Sequence, residues 1–361
     1  MHRAIVPPYL LSRLASLDDP RYRRARDAAH RSLVRDEPIR ELRTESGAPP
    51  FLRAEREAHD ERPAPAPGFG PRPDRRISDA EHTETLPGRL VRREGQPPTG
   101  DAVTDQAYDA LGDTFDLFAR VFTRDSIDGA GLPLEATVHF GERYDNAFWD
   151  GERMVFGDGD GEIFRGFAHS RSVVGHELAH GVIDHTARLR YEGQSGALNE
   201  HLADVFGALV DQHANGHDAN SASWLIGEGV FTDAVEGRAL RSMIEPGTAY
   251  DDDVLGRDPQ PDHMSRYVET RDDHGGVHLN SGIPNRAFAL ASRELGGFAW
   301  EHTGRIWYDA MTSGRLPTTA GFAEFAAETI RVARTLFGDA SAEHRAVTNA
   351  WSTVGVTPSS S

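Results

Sequence analysis

His176-Glu177-Leu178-Ala179-His180 lies in the stretch SVVGHELAHGVIDHTA, residues 172–187. The stretch reads as a helix. Residues four apart lie on one helix face, so His176 and His180 can aim two imidazoles at one point. Glu177, beside the first of them, can reach a water on a metal held there. This is the H-E-x-x-H pattern of helices that bind zinc and carry a glutamate base. The plainer reading is a helix with two partly exposed histidines and a solvated glutamate. The rest of the chain decides between the two.

The chain has 361 residues, enough for two domains with sizeable cores, and its 38% hydrophobic and 27% charged content is ordinary for a globular protein. Its net charge of −18 argues against nucleic-acid or anionic-membrane partners. No apolar run approaches the length of a membrane span. Without cysteine there are no disulfides, and the redox compartment is left open. The N-terminal stretch MHRAIVPPYLLSRLAS does not read as a Sec signal, because Pro7, Pro8 and Arg13 break its apolar run. The expected location is therefore the cytoplasm for a precursor, or outside the cell by a non-classical route.

Residues 1–60 stand apart, with twelve arginines against ten acidic residues, which leaves a net −20 on the remainder. Asp18-Asp19-Pro20 reads as a helix start, with the helix running to about Val34. The run from Arg62 to Pro73 is rich in Pro and Gly and reads as an exposed linker over 61–75. Strands are expected at Arg76–Asp79 and Leu86–Val91, with a turn at Pro87-Gly88, and at Glu135–Phe140, Asn146–Trp149 and Arg153–Phe156. Between them, Val103, Ala107, Ala110, Leu111, Phe115, Phe118 and Phe122 recur at helical spacing. Gly157-Asp-Gly-Asp-Gly161 reads as a glycine-rich turn rather than a calcium loop, since it lacks the spacing and terminal Glu of an EF-hand. From about residue 170 the chain turns helical, with helices expected at 172–188, 196–215, 281–296, 303–313, 320–336 and 341–353. The predicted architecture is α+β: a β-rich half over 76–170, then an α-helical half over 171–361, with the metal site in the cleft between them.

A catalytic zinc needs three protein ligands and an open position. Glu200 is the candidate third ligand, twenty residues past His180 in GALNEHLAD, on a segment with Leu198, Leu202, Val205, Phe206 and Leu209 on its buried side. The alternative is a capping or surface carboxylate. Asp204, four residues on, shares that face and is a natural partner for the second nitrogen of His176, as Asn199 is for His180.

HELAH followed by GALNEHLADVFG resembles the thermolysin-like family of zinc metallopeptidases. Further marks stand in family order: Asn146-Ala-Phe-Trp149 with Met154–Gly161, Tyr191 in YEGQSG, Arg241-Ser-Met, and Asp273-His-Gly-Gly-Val-His278-Leu-Asn-Ser-Gly282. The resemblance runs from about Leu86 to the C-terminus. It implies zinc on His176, His180 and Glu200, with Glu177 as general base. It implies Tyr191 and His278 as oxyanion donors, the latter oriented by Asp273. Asn146, the Ala147 backbone and Arg241 would hold peptide. Val173, Ile226, Val230 and Leu240 stand where the family builds its apolar primed-side pocket, which implies cleavage before bulky hydrophobic residues; plain core packing is the alternative. Val6-Pro-Pro-Tyr-Leu10 resembles the protealysin-like branch, in which a short precursor segment inhibits the folded enzyme. That implies a removable pro-segment over 1–60, cut between about 45 and 76.

The sequence departs from the family at calcium. Asp211 and Glu228 remain acidic at matching places, but Ser172, Ser223 and Leu225 replace expected carboxylates, so at most one weak Ca2+ is expected there. Two other functional readings remain open: a catalytically silent zinc-containing binding protein on the same scaffold, and a metal hydrolase of another substrate such as an ester.

Overall fold

The computed structural model describes residues 3–41 and 70–359. The proposed linker and the cut region lie mostly outside the described residues. The leader supplies a short strand β1 (Arg3–Ala4), helix α1 (Pro8–Ala15), a single 3-10 turn at Pro20–Tyr22 and helix α2 (Arg23–Glu41). The sequence reading missed the first two of these. Pro7 and Pro8, which broke the apolar run, instead start α1: Pro8 at the first helical position loses no hydrogen bond, and Leu10, Leu11 and Leu14 are buried.

The β-rich half follows, with β2 (Arg75–Asp79), β3 (Arg89–Arg93), helix α3 (Ala102–Val121), β4 (Leu134–Val138), β5 (Ala147–Trp149) and β6 (Met154–Phe156). They form one six-stranded sheet in the order β1-β5-β6-β4-β2-β3. Strands β2, β4 and β6 run parallel to one another, whereas β5 and β3 run antiparallel to their neighbours. The leader strand β1 adds to the sheet edge, antiparallel to β5 with Ala4 opposite Phe148. The strand expected at Leu86–Val91 begins only at Arg89. Pro87 has no N–H to give the ladder, so the turn lies wholly ahead of the strand. Helix α3 is set by its spacing: Ala107, Leu111, Phe115 and Phe118 face inward, and the Asp101 side chain accepts the Thr104 N–H as a cap.

The α-helical half opens with α4 (Arg171–Asp184) and α5 (Gly193–Asn215). Every residue from Ser172 to Ile183 is buried, so α4 is a core helix without a wet face. It packs against α5 more extensively than any other helix pair in the described structure. Small residues allow that: a Cβ on Gly207 would stand 2.4 Å from the Ser172 carbonyl oxygen. Short strand pairs follow, β7 (Leu225–Ile226) with β8 (Arg241–Ser242) and β9 (Asp251–Asp252) with β10 (Gly256–Arg257). Helices α6 (Asp273–Asn280), α7 (Gly282–Leu295), α8 (Thr303–Thr312), α9 (Phe322–Phe337) and α10 (Ala342–Thr353) complete the chain. The single helix expected at 281–296 is thus preceded by a separate short one. One hydrophobic cluster runs through both halves, from Leu134 and Phe156 to Trp307 and Trp351. The α+β architecture is the one expected, and α4 lies at the junction, against β5 and β1.

Candidate metal centre

Helix α4 brings His176 and His180 side by side, and α5 brings Glu200 across from them; all three are buried. His176 Nε2 lies 3.1 Å from His180 Nε2, and each is 3.5 Å from a Glu200 oxygen. The other imidazole nitrogens are committed. His176 Nδ1 is 2.8 Å from Asp204 Oδ1, and His180 Nδ1 is 2.9 Å from Asn199 Oδ1. These acceptors assign the protons to Nδ1. Two bare Nε2 lone pairs then face each other beside a carboxylate whose Oε2 has no hydrogen bond among the described residues. Two imidazoles and a carboxylate with their outer nitrogens already oriented are the donor set of a catalytic zinc. The residues fit the ion.

The surrounding charges are set by Asp204. Burial alone would push its carboxyl up, but Arg241 beside it and the hydrogen bond from His176 hold it well below the usual carboxylate range. Arg241 Nε and a terminal nitrogen both reach Asp204, at 3.0 and 2.9 Å. Asn285 Nδ2 donates to Asp204 Oδ2 at 2.8 Å. Behind it, Trp307 Nε1 donates to His201 Nε2, and His201 Nδ1 bonds Asn285 Oδ1. His201 is held neutral, its pKa lowered to about 4 by burial. The sequence reading missed His201, Asn285 and Trp307. Asn285 stands 81 residues from Asp204, and no local pattern signals that contact.

Tyr191 and His278 join the same cluster. Tyr191 O–H donates to Glu200 Oε1, and its oxygen is 3.3 Å from His278 Nε2. His278 Nδ1 lies 2.7 Å from Asp273 Oδ1, while Asp273 Oδ2 accepts the His278 N–H. Asp273, His274, Gly275 and Gly276 all have φ between 52° and 89°. This left-handed run folds Asp273 back over the start of the helical turn carrying His278, and the two glycines make such a run accessible. Burial opposes the charged form of His278, but the Asp273 and Glu200 carboxylates outweigh it and raise its pKa.

Glu177 faces the sheet edge, where its Oε2 accepts the Trp149 N–H at 3.1 Å. Along that edge lies the leader. Ile5 N–H donates to the Ala147 carbonyl at 3.1 Å, and Val6 N–H donates to Asn146 Oδ1 at 2.9 Å. Arg241 Nη1 donates to the Ile5 carbonyl at 3.0 Å. Asp36 of α2 accepts from Tyr144 O–H at 2.7 Å and from Asn146 Nδ2 at 3.1 Å. A cavity of about 220 Å³ remains between Ala4, Val6 and Pro8 on the leader side and Tyr191, Asp273 and His278 on the other. Val173, Ile226, Val230 and Leu240 are all buried.

At the calcium positions, Ser223 Oγ donates to Glu228, and Ser172 Oγ accepts the Gly227 N–H. Asp211 is raised by burial and by the nearby Glu228. In the glycine-rich turn, Asp160 Oδ1 accepts the N–H groups of Glu162, Ile163 and Phe164, the bonding of a turn.

The family model described as thermolysin metallopeptidase, catalytic domain, matches residues 76–184, and the one described as its alpha-helical domain matches residues 187–356. The chain belongs to the thermolysin metallopeptidase family. It is a zinc metalloprotease. An extracellular metalloprotease of Pectobacterium carotovorum subsp. carotovorum is 48% identical over 355 residues, covering 98% of this chain and 96% of that one. Protease PrtS of Photorhabdus sp. (strain Az29) is 49% identical over 284 residues, covering 78% of this chain and 76% of that one. Thermolysin of Alicyclobacillus acidocaldarius is 40% identical over 263 residues, covering 71% and 46% respectively. The solved structure of the precursor of protealysin, a metalloproteinase from Serratia proteamaculans, superposes with a TM-score of 0.86 at 46% identity, covering 98% of this chain and 100% of that one. Among the described residues no helix is long and apolar enough to cross a membrane.

Proposed function

We propose that this family member is an endopeptidase made as a self-inhibited precursor, with residues 1–60 as the pro-segment, 61–75 as the linker and the two catalytic halves at 76–170 and 171–361. The reading rests above all on one observation: the three groups expected to hold a substrate main chain already hold the leader's. Asn146 Oδ1, the Ala147 carbonyl and Arg241 bond Val6, Ile5 N–H and the Ile5 carbonyl. An extended peptide added to a sheet edge through backbone bonds is a sequence-tolerant mode of recognition. The leader occupies it and so keeps substrate out.

His176, His180 and Glu200 would hold the zinc ion, with Asp204 and Asn199 fixing the two imidazoles. Zinc bound there supplies Lewis-acid polarisation of the scissile carbonyl and makes water acidic enough to attack at neutral pH. Glu177 takes the proton of the attacking water and delivers it to the leaving amine. Its hydrogen bond from Trp149 N–H positions the carboxylate beside the strand that holds the peptide. Tyr191 O–H and protonated His278 donate to the oxyanion developing on the former carbonyl oxygen, with Asp273 orienting His278. In the precursor, Tyr191 is spent on Glu200 instead. Peptidase action is favoured over a silent binding role or ester hydrolysis because both the base and the strand-holding groups are present.

Ile5 is fully buried at the position where Arg241 and Ala147 hold its backbone. This supports cleavage before bulky hydrophobic residues, with Val173, Ile226, Val230 and Leu240 as the receiving pocket. For calcium, Asp211 and Glu228 would supply at most one weak site, since serine hydroxyls engaged in protein hydrogen bonds stand where carboxylates would be needed. The relative named extracellular supports a site of action outside the cell. Digestion of a proteome-derived peptide library by the matured enzyme tests the preference. Enrichment of Ile, Leu, Val and Phe just after the cut is expected, and an even distribution would overturn it.

A further inference from the structure

Strands β2, β4 and β6 are neighbours, parallel, and end at the same side of the sheet. The loops leaving those three carboxyl ends carry His82, His139 and Asp158. This is the place in an open parallel sheet where ligands are ordinarily taken up. The His82 N–H donates to the His139 carbonyl at 2.9 Å, which sets the two residues side by side with ring centroids 5.4 Å apart. His139 Nδ1 lies 2.9 and 3.0 Å from the two Asp158 oxygens, and His82 Nδ1 lies 3.3 Å from Asp158 Oδ2. One donor atom from each of the three falls within 4.8 Å of the others.

A fourth side chain completes the arrangement. Asp101, the cap of α3, has Oδ1 3.3 Å from His139 Nε2. When a metal displaces the Nδ1 proton, a carboxylate there keeps the other ring proton on Nε2. Histidine ligands of metals ordinarily have their outer nitrogen held in this way. We propose that His82, His139 and Asp158 form a second transition-metal site, separate from the peptidase centre, that takes Zn2+ and ties together the three loops at the carboxyl edge of the sheet. Two imidazoles with one carboxylate suit zinc, nickel or copper rather than calcium. The site is half open, because His82 is exposed and His139 and Asp158 are partly so. Water completes the coordination. Glu84, two residues past His82, pairs with Arg35 of the leader, so the tied loop is also one that the leader touches.

A proton is the natural competitor. The hydrogen bond to Asp158, aided by Asp101, raises His139 to about 9, so zinc must displace a proton there, and a mildly alkaline pH reduces that cost. The full chain carrying Glu177→Gln, which keeps the leader attached, is stripped with a chelator and dialysed against micromolar zinc at about pH 8. Metal per chain is then read by atomic emission, with and without His82→Asn. Asparagine tolerates the left-handed φ of 59° at this exposed position, so the variant keeps its backbone. The proposal expects His82→Asn to lose one zinc equivalent, and His139→Asn, at φ 54°, to lose the same one. Equal zinc content in all three proteins would overturn it. The comparison is a difference between proteins with the same peptidase centre, so zinc binding at His176 and His180 cannot produce or hide the result.

Discussion

Asp36→Ala should turn a latent precursor into a leaky one. In the structure the Asp36 carboxylate, buried in α2 of the leader, accepts from Tyr144 O–H and from the amide of Asn146. A hydrogen bond to a charged acceptor contributes about 1.5–3 kcal/mol, and a donor left buried without a partner costs about 1–3 kcal/mol. The gain is offset in part by the desolvation of Asp36 itself on docking. A net loss of about 2–3 kcal/mol follows, which at about 1.4 kcal/mol per decade is a 30- to 150-fold larger undocked fraction. The assay is the initial rate of cleavage of an internally quenched apolar peptide by purified precursor, with the first self-cut followed on a gel. Faster peptide turnover and earlier processing are expected of Asp36→Ala, with the matured enzymes indistinguishable. A variant as latent as the parent, processed at the same rate, would refute the idea that this carboxylate holds the leader on the edge strand.

Asp204→Asn should weaken zinc retention by about 10- to 100-fold, since Asp204 orients His176; competition with a chelator measures this. The same change should lower the thermal midpoint, because Arg241 is left buried without its charge partner. Asp145→Asn should stabilise the precursor at neutral pH. Asp145 is fully buried facing Asp160, and burial pushes its carboxyl pKa up, as it does that of Asp160. A carboxyl whose folded pKa is raised binds its proton more tightly in the folded state, so it costs stability above the ordinary carboxylate range. The gain from Asp145→Asn should therefore shrink as pH falls toward about 4, which thermal melts at pH 4 and pH 8 compare directly.

The centre was legible in the sequence to the extent that its contacts are local. His176 and His180 are one helical turn apart. Asn199, Glu200 and Asp204 share one face of the next helix, and both expected imidazole partners bond as expected. Asp273 and His278 were readable as a pair, although the left-handed run that brings them together was not. What the sequence withheld is set by chain reversals over long separations. Asn285 reaches Asp204 from 81 residues away, Trp307 reaches His201 from 106, and Arg241 reaches Ile5 from 236. No periodicity carries such pairings. Strand ends slipped by one to three residues where a proline or a turn, rather than side-chain alternation, fixes the boundary. Short strand β1 was invisible because two residues make no pattern; only its pairing with β5 defines it.

The proposed mechanism gives the proton transfers to Glu177, in a site whose metal is held by other residues. Glu177→Gln keeps the size of the side chain and leaves His176, His180 and Glu200 in place. Zinc content and hydrolysis of an apolar peptide, measured on the same preparation of this variant, separate metal binding from proton transfer. Zinc bound at His176, His180 and Glu200 as in the parent, with peptide hydrolysis lost and the full-length chain accumulating uncut, is the predicted result. Hydrolysis retained at the parent's rate with zinc bound would contradict it.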